Sequence, residues 1–320
     1  MTTYGYHASH EQHPPSALLE YVVAAEAAGF ACAMCSDHFH PWTPQQGHSG
    51  HAWSWLGAAL QATRMRFGTV TAPGWRQHPA VVAQAAATLA EMYPGRFWLA
   101  VGSGEALNEG IVGHAWPEKA ERNARLRECV DVMRALWRGE EVTHRGRVTV
   151  VEARLWSLPA SPPRLYGAAL SEATAELVGA WADGLATTGG EIEAVKARID
   201  AFRRGGGDGK PVVVQHVVSW AEREMDARRA GHEQWRFAAL GGDVLPILRT
   251  PAQFDAASRT VAPADLAHVI RMSADLGRHA AWLAEYAELG VDEVYVTNAN
   301  VANQREFITA FASRVLPSLR

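Results

Sequence analysis

Residues 66–101 read RFGTVTAPGWRQHPAVVAQAAATLAEMYPGRFWLAV, and the order of residue types in them decides the fold. Arg66–Ala72 and Phe97–Val101 are short runs of aromatic, β-branched and small residues, the kind that fill buried strands. Between them, Pro79–Met92 is rich in alanine and repeats its apolar residues at i, i+3 and i+4, so it predicts a helix. Pro79 suits the first helical turn, where its missing N–H costs nothing. Strand, helix and strand in this order make a βαβ unit, whose two strands must be parallel.

The same alternation runs almost from end to end. Thr3–His7, Ala31–Ser36, Arg164–Ala168, Gly184–Thr187, Pro211–Val218 and Glu293–Thr297 read as further strands, and Ser16–Gly29 and Glu118–Arg138 as helices. Eight strands with intervening helices in 320 residues predict an α/β fold, a (β/α)8 TIM barrel, as one domain over residues 1–320. An open dinucleotide-binding sheet would open a helix with G-x-G-x-x-G after the first strand, and no such motif is there. Two stretches break the rhythm. Residues 140–163 read as a short β excursion with a Pro-rich connector, and residues 221–264 as a long insertion before the last strand; connections of that length are often lids. RRGGGDGK at 203–210 lacks Walker spacing and reads as a flexible loop.

A hydrophobic content of 48%, a charged content of 20% and a net charge of −4 are those of a soluble globular chain without a nucleic-acid footprint. The start, MTTYGYHASHEQHPP, has no basic segment followed by an apolar one, and no run of about 18 apolar residues appears. A cytoplasmic protein with no membrane or nucleic-acid partner is expected. Cys32 and Cys35 form a C-x-x-C inside a strand, where residues three apart face opposite sides, so they and Cys129 are expected to be packed thiols.

Function in such a barrel sits at the C-terminal strand ends. Those ends collect His7 and Ser9, then Asp37, His38, His40 and Trp42 in SDHFHPW, then Thr71, and then Gly102–Glu105 and Asn108; Asn298 and Asn300 follow the last strand. His38 is the acid–base candidate, because histidine titrates near neutrality and Asp37 stands beside it. Glu105 follows a flexible Gly-Ser-Gly run that lets a flat ligand approach the backbone. Trp42, Trp53, Trp55 and Trp75 are candidates to wall an apolar slot. The His38-Phe39-His40 pair also admits a rival, a metal-dependent hydrolase on the same barrel. It is disfavoured, because the pair follows the second strand and Asn298 stands where a ligating Asp is needed; no metal is expected.

The segments GYHASHEQ, SDHFHPW, GHSGHAWSWLGAA, APGWRQHPAVVAQAAATLAEMYPGRFWLAVGSGEALNE and WPEKAERNARLRECVDVMRALW resemble the luciferase-like flavin/deazaflavin oxidoreductase superfamily. Within it they resemble the group around the glucose-6-phosphate dehydrogenase that depends on coenzyme F420. The resemblance is dense over about the first 140 residues and looser beyond. It implies a bacterial luciferase-like TIM barrel, commonly a homodimer, that holds a flavin-type ring at the strand ends and passes a hydride between that ring and a small organic substrate. By the same resemblance His38, Glu105 and Trp42 are catalytic. Asp37, Thr69, Val70, Thr71, Gly104, Asn108, Leu170 and Ser171 are implied to meet the cofactor, and the Thr69–Val70 bond matches the family's non-proline cis peptide.

Two departures refine the expectation. The cations that hold the sugar phosphate in the dehydrogenase fall on Gly190, on the lysine-free insertion and on Val269, so an unphosphorylated substrate is expected. The glycine pair beside the deazaflavin phosphate falls on Leu170 and Ser171, whose side chains are expected to crowd that phosphate. FMN is therefore the expected cofactor, with F420, and with it a sugar or alcohol dehydrogenase, as the alternative.

Overall fold

The computed structural model describes residues 1–319. The chain runs β1 (Thr3–Ala8), α1 (Pro15–Ala28), β2 (Cys32–Ser36), α2 (Ala52–Ala62), β3 (Arg66–Thr71), α3 (Pro79–Met92), β4 (Phe97–Val101), α4 (Ala106–Glu109) and α5 (Lys119–Trp137). A hairpin of β5 (Val142–Arg145) and β6 (Thr149–Ala153) follows. Next come β7 (Arg164–Ala168), α6 (Glu172–Gly179), β8 (Leu185–Thr188), α7 (Ile192–Phe202), β9 (Val212–Ser219), α8 (Glu224–Trp235), α9 (Pro251–Ala257), β10 (Arg271–Met272), α10 (Leu276–Glu288), β11 (Glu293–Asn298) and α11 (Gln304–Ala310). The neighbours are β9-β11-β1-β2-β3-β4-β7-β8, and β8 pairs back onto β9, so eight parallel strands close a barrel. Each expected strand is present to within one residue at either end; the two-residue β10, which extends beyond β9, was not foreseen.

Local chemistry explains the boundaries. Gly29 ends α1 at φ 106°, a left-handed position that costs glycine little. Pro79 opens α3 as expected, with His78 accepting from the Ala80 amide. The three cysteines are free and buried. No helix among the described residues is long and apolar enough to cross a membrane.

Inside the barrel, alternation turns Cys32, Met34, Trp98, Ala100, Tyr166, Ala186, Val213 and Tyr295 toward the axis. Gly68 makes room for Trp98, because a Cβ there would stand 1.9 Å from the indole. Trp98 stacks on Tyr166 at 5.1 Å and donates to the Tyr295 hydroxyl at 3.1 Å. Tyr295 in turn donates to Glu293, which pairs with Arg66. Aromatic rings thus fill the barrel floor, with the Trp98 indole and the Tyr295 hydroxyl hydrogen-bonded.

One expectation fails here. No peptide bond among the described residues is cis, so Thr69–Val70 is trans. The ladder explains it: Thr69 and Val70 pair with Cys35 and Ser36 on one side and with Leu99 and Ala100 on the other, in unbroken register. A cis bond would interrupt both ladders and cost about 3–4 kcal/mol.

The two insertions differ. The β5–β6 hairpin lies outside the barrel against α5, where Glu128 accepts from the Arg147 amide at 2.7 Å and meets the His144 ring at 2.8 Å. These partners outweigh what burial adds and hold the Glu128 carboxyl down at about 2. Residues 221–264 instead pack on the mouth, as a lid would, through Trp235, Phe237 and Phe254.

Candidate active site

At the mouth the barrel lining changes from large to small. Ser36, Val70, Gly102, Ala168, Thr188, Gln215 and Val217 are half-buried, whereas the positions below them are buried. Small side chains around an open strand-end rim leave room for a flat ring.

His38 enters this space from the β2 end, its side chain 16% exposed. Its Nδ1 lies 3.3 Å from Oε1 of Glu11, a buried carboxylate that the sequence reading did not single out. The other Glu11 oxygen accepts from Ser9 at 2.9 Å and Ser36 at 2.7 Å. Burial alone would raise the Glu11 carboxyl, but His38, the Ser36 hydroxyl and His7 outweigh it and hold the group ionised below its ordinary value. His7 is 3% exposed and neither ring nitrogen has a partner; burial lowers it to about 4, so it is neutral. A neutral, unpartnered imidazole on the inward face of β1 is a hydrogen-bonding group left for a ligand.

Trp42 stands against His38 at 5.1 Å. It stacks on Phe237 at 4.9 Å and meets Phe254 edge-on at 5.3 Å, so the insertion holds its ring in place. Glu105 is half-buried at the β4 end, and its carboxylate makes no hydrogen bond among the described residues. Burial pushes it up, against the pull of His38 and Arg122. Gly104 sits at φ +83° with the Glu109 stem, Ala72 and Trp116 closely packed around it.

Other expected cofactor residues form a layer behind the mouth. The Asp37 carboxylate is buried and accepts from Thr71 and Gln77 at 2.6 Å each, with Arg76 at 3.4 Å. Arg76 also reaches Glu109, at 3.6 Å, whose carboxyl burial raises to about 7 despite that guanidinium. Thr69 is fully buried and donates to the Cys35 carbonyl, while Val70 is the neighbour that faces the mouth. Asn108 accepts from the amides of Phe39 and His40 at 2.9 and 3.2 Å, fixing the loop that carries His38. Leu170 and Ser171 stand at an open edge: Leu170 is 58% exposed, and the Ser171 hydroxyl caps α6 and accepts from Lys119. The expected crowding of a phosphate therefore has no packed side chain behind it.

Two further groups leave the site. Trp53 and Trp55 belong to the core beneath α2, and Trp75 packs on Trp116 at 5.2 Å. His38 and His40 diverge, His38 toward Glu11 and His40 onto Phe39, and no three ligating side chains converge among the described residues. Asn298 ties strand ends together by accepting from the Trp220 amide at 3.0 Å.

Comparison with known proteins agrees with this geometry. Residues 2–293 match the family model described as luciferase-like monooxygenase. An F420-dependent glucose-6-phosphate dehydrogenase of Nakamurella multipartita is 36% identical over 330 residues, covering 99% of this chain and 96% of the relative. Its Mycobacterium tuberculosis counterpart is 34% identical, over 99% of this chain and 97% of its own length. Among solved structures, an F420-dependent secondary alcohol dehydrogenase superposes with a TM-score of 0.91 at 31% identity, covering 100% of this chain and 99% of its own. The barrel, its mouth and these matches agree: the chain belongs to the luciferase-like monooxygenase family of oxidoreductases.

Proposed function

We propose that the chain is an F420-dependent dehydrogenase that oxidises a hydroxyl of a sugar or alcohol to a carbonyl. One observation carries the reading: an imidazole, His38, backed by the buried carboxylate of Glu11 and walled by Trp42, at the mouth of a barrel lined by small residues. The mouth suits a deazaflavin in its rim of small residues and in the unpartnered nitrogens of His7. F420 rather than FMN is supported by the named relatives and by the open edge at Leu170 and Ser171.

When bound, F420 supplies a two-electron hydride acceptor. With Nδ1 turned to Glu11, His38 would offer its other nitrogen to the substrate hydroxyl and take the proton from its oxygen, the hydride being given up by the carbon that bears that oxygen. Ionised Glu11 offsets the charge His38 gains. Glu105, whose carboxyl burial pushes up, would stand at the ring edge as a proton partner, and His7 would hydrogen-bond a ligand oxygen. Trp42 excludes water from the reacting carbon.

A phosphorylated sugar is the first substrate to test. The curated relatives carry that name, and Arg271 places its guanidinium 3.3 Å from the Gly190 carbonyl, where the sequence reading had found no cation. The second reading, an unphosphorylated alcohol, is favoured by the aromatic wall of Trp42, Phe237 and Phe254 and by the solved alcohol dehydrogenase. Titration with F420 and FMN, then F420 reduction with glucose 6-phosphate and with 2-propanol, tests all three statements. Tight F420 binding with turnover of either substrate supports the dehydrogenase; FMN binding without F420 binding overturns it.

A further inference from the structure

Arg76, between β3 and α3, is shared by two acids. Its side chain is 10% exposed, and the carboxyls of Asp37 and Glu109, buried more deeply still, face it from either side. The two arms differ. Toward β2 the guanidinium donates to the Asp37 backbone carbonyl at 3.0 Å and lies 3.4 Å from the carboxylate, which Thr71 and Gln77 also hold. Toward α4 its Nε stands 3.6 Å from one Glu109 oxygen, without a hydrogen bond, and is buried with no acceptor. The Arg76 amide donates to the other Glu109 oxygen at 3.1 Å. One cation thus faces two buried carboxyls and can balance the charge of only one.

Each acid adjoins a residue proposed to act on the substrate. Asp37 precedes His38 in the chain. A Cβ on Gly104 would stand 2.9 Å from Cγ of Glu109, so the Glu109 stem packs against the residue before Glu105, and the Glu109 amide donates to the Glu105 carbonyl at 2.9 Å. Asn108, beside Glu109, accepts from the amides of Phe39 and His40. Arg76 therefore ties the loop that carries His38 to the loop that carries Glu105. Among the described residues it makes no hydrogen bond or ion pair with either of those side chains.

We propose that Arg76 is a positioning residue: by gripping Asp37 and Glu109 together it sets the placing of His38 against Glu105. The proposal rests on the reading that those two side chains serve a reaction at the mouth. The grip on Asp37 is already closed, whereas the grip on Glu109 closes when that carboxyl ionises. Burial, with Asp37 adding to it, outweighs the pull of Arg76 and His38 and raises the Glu109 carboxyl to about 7, so the second grip closes as pH rises through that value. The charged or titratable groups that face Glu109 are Arg76 from the loop after β3 and Asp37 and His38 from the loop after β2; Arg249 of the insertion reaches the Gly110 carbonyl, at 3.4 Å.

Glu109→Gln keeps the size of the side chain and an acceptor for the Arg76 amide, and it stays neutral at every pH, so it holds the second grip open. The full chain, wild type and variant, is assayed for F420 reduction from about pH 5.5 to about pH 8.5. The ratio of the two kcat values cancels the titrations they share. It is expected near 1 at the acid end and about 10 at the alkaline end, with cofactor affinity by fluorescence unchanged, because misplaced groups slow the chemistry without weakening binding. Hydrogen exchange reads the same grip without turnover: residues 38–40 and 105–109 exchange about 5-fold faster in the variant at the alkaline end and equally at the acid end. Arg76→Lys keeps a charge for Asp37 but cannot span both acids, and lowers kcat about 10-fold across the range. A wild-type-to-variant ratio that does not change with pH, in kcat or in exchange, overturns the proposal. So does a loss that falls on cofactor affinity with kcat intact. A wild type that reduces no F420 with either substrate breaks the dehydrogenase reading, and exchange then decides the grip by itself.

Discussion

The floor and the mouth of the barrel are built from the same strands and to opposite rules. On the floor, Trp98, Tyr166 and Tyr295 fill the axis, and the Trp98 indole and the Tyr295 hydroxyl have partners. At the mouth the lining shrinks to Val70, Gly102 and Ala168, and polar groups stand unpartnered: both nitrogens of His7, the indole nitrogen of Trp116 and Nε of Arg122. Unsatisfied buried groups are costly. Those at the mouth stand where a ligand can supply the missing partners.

That contrast can be broken from either side. The largest expected effect is at the mouth: His38→Ala lowers kcat by about 10²–10⁴-fold while cofactor affinity stays near wild type, read by F420 reduction and by fluorescence titration. Preserved turnover would remove His38 from its role. On the floor, Gly68→Ala drives a methyl into the Trp98 indole and lowers unfolding free energy by about 3 kcal/mol, measured in urea. Chemistry per folded molecule should survive, which would separate floor from mouth. Trp42→Ala comes next, raising KM about 10-fold through loss of the Phe237 and Phe254 contacts. Faster hydrogen exchange over residues 235–257 should accompany it.

A further effect belongs to neither region alone. Burial lowers His7, His13 and His279 from 6.5 to about 4, and His216 to about 3. Their unfolded forms bind protons first, so the stability they contribute is whole above pH 6.5 and is lost as pH falls toward 4. A melting temperature that stays flat from pH 7 to 4 would contradict this sign.

The floor was far more legible in the sequence than the mouth. Strands buried on both faces are continuous apolar runs, so β1 to β4 could be placed to within one residue. His38, Trp42 and Glu105 could be proposed because strand ends concentrate chemistry. Glu11 was missed although GYHASHEQ was in view, since an acid among polar residues gains meaning only when Ser9, Ser36 and His38 fold around it. Asp37, Thr71 and Asn108 also hold strand ends and loops together, through partners such as Gln77 and Arg76 that spacing does not reveal. The cis peptide came with the resemblance and has no signature in the residues.

The β5–β6 hairpin has a bearing on how this chain varies over time. Trp98 to Val101 pair directly with Arg164 to Gly167, so the barrel closes without any contribution from the hairpin between them. It is tied to α5 through Glu128, Arg147 and His144, and packs Val150 against the core. The hairpin can therefore change without opening the barrel, provided that the ties of Arg147 and the packing of Val150 are kept.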